Sequence, residues 1–269
     1  MKYFVFGAGG SIGGEVVGQL MGEHHVFAGV RTIAGSLSTL REGGRLRGGL
    51  CVVVPVGDVA NVNCMFKLTE DKDLQGLDGI VYAVGHCPPG GFMDAVKRPL
   101  SELPIGDYER EIGMHQVGVL NVFQYMLQNL NDGGCFVFIS SAITRLKGKF
   151  PQGAHPDYHA SVIAAEDWLI EGMRRDPVVI ERKLKIHRIA PAGVDTPFHE
   201  GGFVPKSQLF PVSVVAREVL QALASDENVD KQLVPETPQQ PAVPCKLCGR
   251  PMTFEDGFHK CLPCGIMRI

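Results

Sequence analysis

The sequence predicts an α/β protein, a doubly wound parallel sheet followed by a small C-terminal module stapled by four cysteines. Three observations carry that prediction. Apolar runs of strand length alternate with amphipathic helical stretches from the N-terminus to about residue 235, a glycine cluster follows the first run, and two Cys-x-x-Cys pairs close the chain. Its 269 residues suffice for one large domain and an appendage, and 45% hydrophobic against 20% charged residues is a globular balance.

The strands are read at Lys2–Phe6, His25–Val30, Leu50–Val56, Gly79–Val84, Cys135–Ser140, Leu184–Ala190 and Lys231–Val234. A first helix is read from Glu15 to Met21, with others at Tyr108–Leu130, Pro156–Arg174 and Val212–Ala224. Strands that are apolar on both sides and separated by helices belong to a parallel sheet covered on both faces. After residue 236 the chain turns to Pro, Gln and Thr without apolar period, so residues 237–244 read as a linker between a domain at 1–236 and a module at 245–269. That last piece is too short for a core of its own and needs a staple.

The formal net charge of −3 gives no general attraction to nucleic acid or to an acidic membrane surface. The longest apolar runs, such as Cys51 to Val56, are strand-sized, so no membrane span is expected. No small-residue cleavage site follows the apolar start, and a cytoplasmic protein is expected. Cys51, Cys64, Cys87 and Cys135 lie in apolar surroundings and read as small buried hydrophobes.

The first strand runs into Gly7-Ala8-Gly9-Gly10-Ser11-Ile12-Gly13-Gly14. Glycines let the backbone turn tightly and approach a pyrophosphate, whose charge then meets a helix N-terminus; the bland alternative is a tight strand-to-helix turn. At the end of the second strand, where a carboxylate would accept from a ribose 2′-hydroxyl, stands Arg31. A guanidinium suits a 2′-phosphate, which favours NADP(H) over NAD, unless Arg31 is simply an exposed arginine beside a turn.

In these motifs the chain resembles the short-chain dehydrogenase/reductase family, whose fold is of the Rossmann type. Gly7, Ser11 and Gly13 stand at the three glycine positions of its fingerprint, with serine at the middle one. The resemblance implies further cofactor contacts at Gly10, Ile12, Asp58, Val59, Ala83, Gly85, Pro191, Gly193, Val194 and Thr196, and covers about residues 1 to 235. It also implies a serine and a tyrosine at the reacting centre, matched by Ser141 and, seventeen residues on, Tyr158. The family lysine four residues later is replaced by Val162, and the family asparagine on the preceding long helix by His115.

These departures bear on the chemistry. Residues four apart share a helix face, so an ammonium at position 162 would lie beside the phenol and lower its pKa, which valine cannot do. An ordinary tyrosine, pKa about 10, is almost wholly protonated at neutral pH. Oxidation of an alcohol needs a base, whereas reduction of a carbonyl or enone needs an acid, which the neutral phenol already is. The expectation is therefore an NADP(H)-dependent reductase of a small-molecule carbonyl, using Tyr158, Ser141 and His115. The alternative is a catalytically degenerate NADP-binding sensor or scaffold. His155, His159, Lys147 and Lys149 read as ordinary polar surface residues, and the two long helices correspond to those that pair subunits in the family, implying a homo-oligomer.

The tail holds Cys245-x-x-Cys248-Gly and Cys261-x-x-Cys264-Gly with twelve residues between the pairs. Two such knuckles form a tetrahedral thiolate site that suits structural Zn²⁺, with iron in a rubredoxin-like site as the alternative. A formal charge of +2 over this ribbon is thin for nucleic-acid binding, and a protein contact is the expected role.

Overall fold

The computed structural model describes residues 1–33, 51–85, 97–145, 156–199 and 206–234, and in the C-terminal segment the backbone of three short strands. Seven strands, β1 (Lys2–Phe6), β2 (His25–Val30), β3 (Cys51–Pro55), β4 (Leu77–Tyr82), β5 (Leu130–Ile139), β6 (Lys185–Pro191) and β7 (Asp230–Leu233), make one sheet. Every pairing is parallel and the order is β3-β2-β1-β4-β5-β6-β7. The winding direction reverses between β1 and β4, and a crevice for a ligand opens beyond the carboxyl ends of strands at such a switch point. This is the doubly wound, Rossmann-like sheet the sequence predicts.

Period-two alternation divides the core between the two faces. Phe4 and Phe6 of β1 join Phe27, Tyr82, Phe136 and Phe138 in an aromatic layer beneath α2 (Val62–Thr69), α4 (Val119–Met126) and α5 (Asp157–Arg174). Tyr3 and Val5 point the other way, with Val26, Val81 and Val137, toward α1 (Ser11–Leu20) and α6 (Val212–Leu223). Each such buried side chain contributes about 1.5–3 kcal/mol. Among the described residues no helix is long and apolar enough to cross a membrane.

Several boundaries differ from the sequence reading, each for a physical reason. Helix α1 begins at Ser11 rather than Glu15, because Gly13 and Gly14, poor helix formers, are buried inside its first turns. Strand β5 begins at Leu130 rather than Cys135; Gly133 (φ 76°) and a register shift against β4 mask the strand pattern there. Cys135 is buried, but Cys51 and Cys64 are only half-buried, since β3 is an edge strand and α2 packs beside it; Cys87 lies outside the described residues.

The helix expected over Tyr108–Leu130 is three segments: α3 (Ile105–Ile112), a π-helical stretch (Gly113–Gly118), and α4. The buried hydroxyl of Tyr82 donates to the Met114 carbonyl at 2.6 Å, inside the π-helical stretch. Gly118 lets the helix close over Tyr82, since a Cβ there would lie 2.7 Å from Oη. Insertions of this kind gather at functional sites, and this one carries His115.

On β6, His187 is fully buried, its Nδ1 accepting from Val229 N at 3.0 Å. Burial, with the nearby Arg174 and Lys185 charges, pushes its pKa from 6.5 down to about 4. The unfolded chain therefore binds this proton more readily than the fold does. The stability is fully present above pH 6.5 and is lost as pH falls toward 4. The loss should reach about 3 kcal/mol. Urea unfolding of wild type and His187→Gln across this range checks it: the variant should lack this component, and parallel curves would refute it.

Met1–Val234 and Pro235–Ile269 are two compact units. In the second, β8 (Thr253–Glu255), β9 (Phe258–Cys261) and β10 (Ile266–Arg268) form an antiparallel sheet with β9 central. Cys261 ends β9; Cys245, Cys248 and Cys264, and with them the expected metal site, lie outside the described residues.

Candidate functional site

The turn after β1 is fixed by close approach on both sides. Gly7 has φ 76°, and a Cβ on it would lie 2.4 Å from the Ala83 carbonyl oxygen at the end of β4. A Cβ on Gly13 would lie 2.3 Å from the Gly7 oxygen, so the helix packs directly on the turn. Ala8 N donates to Gly29 O at 3.0 Å and Ala83 N to Phe6 O at 3.1 Å, stitching the turn to β2 and β4. Gly10 is the N-cap of α1 and no side chain caps it, leaving the N–H end of the helix dipole over the switch point. Ser11 and Ile12 are half-buried in the first turn, nothing among the described residues lies within 4 Å of where a Cβ on Gly85 would stand, and Arg31 is exposed just past β2.

After β3, Asp58 accepts from Ala60 N at 2.9 Å and so shapes the turn that presents Val59. The Val59 carbonyl accepts from buried Asn121 at 3.0 Å, and its side chain would be 2.8 Å from a Cβ on Gly118. Sequence reasoning missed Asn121, which anchors this turn to α4, and Tyr82, which ties β4 to the π segment. After β6, Phe210 N donates to Gly193 O at 2.8 Å and Asp195 N to Phe210 O at 2.9 Å. Pro191, Gly193 and Val194 are buried, and Thr196 Oγ1 donates to Val194 O at 3.3 Å. All these turns lie at the carboxyl edge of the one parallel sheet.

Ser141 follows β5, its Oγ accepting from Ile143 N at 3.2 Å. Tyr158 opens α5 and is 3% exposed, packed with Ile143 and Ile163 beneath Leu103, Tyr108 and Phe198. Its Oη makes no hydrogen bond among the described residues, so none joins it to Ser141. Burial, then the charges of Glu111 and Asp107, push the phenol above its ordinary 10.0, with Arg98 offsetting part. Val162, one turn on, is fully buried.

Beside Tyr158 lies a buried polar cluster. His115 Nδ1 sits 2.5 Å from Glu166 Oε2, and its Nε2 is 3.6 Å from Glu111 Oε2. The same Glu111 oxygen is 2.8 Å from His159 Nδ1. Burial alone would lower the His115 pKa, but the charge and hydrogen bond of Glu166 and the charge of Glu111 outweigh it and raise it. His159 is thus not a surface residue; at 5% exposure it turns from the Tyr158 face toward α3. The Glu111–His115 spacing of four was readable in the sequence; the approach of Glu166 and His159 on α5 was not. His155, Lys147 and Lys149 lie outside the described residues.

No protein-family model and no curated protein sequence matches the chain. Solved structures do. A dehydrogenase/reductase from Sinorhizobium meliloti 1021 superposes with TM-score 0.71 at 18% identity, over 86% of this chain and 92% of that one. A short-chain dehydrogenase from Burkholderia cenocepacia J2315, solved in complex with NADP, gives TM-score 0.71 at 18% identity, over 86% and 95%. A short-chain dehydrogenase/reductase from Serratia marcescens gives TM-score 0.68 at 17%, over 86% and 96%. At this identity the likeness establishes a shared fold.

Proposed function

We propose that the chain is an NADP(H)-dependent reductase acting on the carbonyl or enone of a small molecule. The observation that carries this reading is the glycine turn at the switch point, an uncapped helix start in which Gly7 packs against Ala83 and Gly13 against Gly7. Gly10, Ser11, Ile12 and Gly13 present backbone N–H groups to a pyrophosphate. Arg31 takes a 2′-phosphate, Asp58 and Val59 the adenine, Ala83 and Gly85 the adjoining ribose, and Pro191, Gly193, Val194 and Thr196 the nicotinamide end. The solved Burkholderia relative in complex with NADP supports this choice of cofactor.

The nicotinamide supplies the hydride when bound. Tyr158 holds a proton at Oη and passes it to the carbonyl oxygen, which Ser141 Oγ orients by a hydrogen bond. With Val162 in place of an ammonium the phenol remains an acid, which sets the direction as reduction. Leu103, Tyr108 and Phe198 exclude water. His115 makes no hydrogen bond to the phenol's oxygen; it is a positioning residue, bonded to Glu166 and facing Glu111. The exposed Leu120 on α4 and Trp168 on α5 suit the pairing of subunits in a homo-oligomer. Cys245, Cys248, Cys261 and Cys264 are assigned to one structural Zn²⁺. A second reading, a sensor or scaffold that binds NADP without turnover, is favoured by buried Val162 and by the missing Ser141–Tyr158 bond.

Titration of the full chain tests the cofactor assignment. NADPH should bind at least tenfold tighter than NADH, about 1.4 kcal/mol, and Arg31→Ala should remove the preference. Equal affinities would remove Arg31 from its role, and no binding of either would overturn the reading.

A further inference from the structure

The cluster beside Tyr158 is a set of His–Glu contacts whose residue types are also those of a metal site. Glu111, at the end of α3, and His115, four residues later in the π segment, project together toward His159 on α5. One donor atom from each of the three lies within 4.8 Å of the others. The Glu111 oxygen is 2.8 Å from His159 Nδ1 and 3.6 Å from His115 Nε2. Donors about 2.0–2.2 Å from a tetrahedral ion stand roughly 3.3–3.5 Å apart, so sub-ångström side-chain shifts at these two contacts suffice. All three side chains are at least nine-tenths buried, with Glu111 1%, His159 5% and His115 7% exposed.

Two further observations point the same way. Glu166, fully buried, holds His115 Nδ1 at 2.5 Å, and that leaves Nε2, the nitrogen facing Glu111, as the one to ligate. A carboxylate behind a ligating imidazole fixes its tautomer and raises its basicity. An N/O donor set of two histidines and one carboxylate suits Zn²⁺ and the neighbouring first-row divalent ions.

We propose that Glu111, His115 and His159 bind a divalent transition-metal ion of the Zn²⁺ class, with Glu166 as the outer partner of His115. The site is distinct from the four-cysteine tail and does not depend on the nucleotide reading. Three protein donors leave a fourth coordination position for water or an added ligand beside Tyr158.

Metal counting on the full-length chain tests this without turnover. The chain with Cys245, Cys248, Cys261 and Cys264 all replaced by serine should retain one tightly bound Zn²⁺ per chain. Adding Glu111→Gln should weaken it by more than about tenfold, and adding Glu166→Gln by about 10–100-fold. No retained zinc, or zinc bound as tightly with Glu111→Gln, would overturn the proposal. Should the serine variant or its derivatives fail to fold, Co²⁺ titration of the metal-stripped wild type decides. A second equivalent bringing ligand-field bands without added thiolate charge transfer is the expected result. Saturation at one equivalent with thiolate bands alone would overturn it.

Discussion

Replacing Arg188 by methionine is expected to destabilise the large domain by about 3 kcal/mol, a large share of a domain's usual stability. Arg188 is 5% exposed in the middle of β6. One edge of its guanidinium meets Asp167 of α5 at 2.5 Å, and the other forks onto Asp230 of β7 at 2.7 and 2.8 Å. The same Asp167 oxygen accepts from Ser140 at 3.3 Å, so one carboxylate ties the end of β5, next to Ser141, to the helix that carries Tyr158. Methionine fills the space but strands the Asp167 charge, whose side chain is only 19% exposed; Asp230, at 36%, can rehydrate. Breaking a buried pair from one side costs about 3–5 kcal/mol, and the accessible Asp230 places this case at the low end. Arg188→Lys should lose about half as much, since one ammonium keeps the charge but cannot serve both carboxylates with a planar fork. Urea unfolding of the three proteins measures this. A loss below about 1 kcal/mol for Arg188→Met would show that the network behaves as a surface pair.

What was legible in the sequence was what local chemistry determines. The apolar runs that become β1, β2, β4 and β6 and the glycine turn between β1 and α1 follow from neighbours along the chain. They place Gly7, Gly13 and Arg31 at one edge of the sheet. The break in the long helix was not readable, because the hydroxyl that meets it comes from β4, where Tyr82 reaches Met114 across 32 positions. The polar cluster escaped for the same reason, since Glu166 meets His115 across 51 positions and His159 meets Glu111 across 48. Helical period alone put His159 off the Tyr158 face; it could not show that α3 supplies a carboxylate there. The environment of Val162 was half readable: the missing ammonium is evident from the residue itself, but not the anionic neighbours of Tyr158.

Tyr158→Phe should lower the turnover of carbonyl reduction by about 10²–10⁴-fold while leaving NADPH affinity nearly unchanged, because the phenol donates to substrate and not to the cofactor. The structure separates this loss from misfolding. Tyr158 Oη is buried without a hydrogen-bond partner among the described residues, so its removal breaks no hydrogen bond among them. An unpaired buried hydroxyl costs about 1–3 kcal/mol, and phenylalanine keeps the ring against Ile143 and Ile163, so the melting temperature should hold or rise. Loss of activity together with loss of stability would instead mean that the tyrosine is structural. Because the phenol stays protonated well beyond neutrality, wild-type reduction should show no alkaline decline from this residue in the neutral and mildly alkaline range. Activity that survives Tyr158→Phe and dies with His115→Ala would move proton transfer to the buried cluster. If the wild type consumes no NADPH with any ketone or enone while still binding it, the proton at Tyr158 has no acceptor to serve. The chain is then the nucleotide-binding sensor or scaffold, with its glycine turn intact and its chemistry lost at position 162.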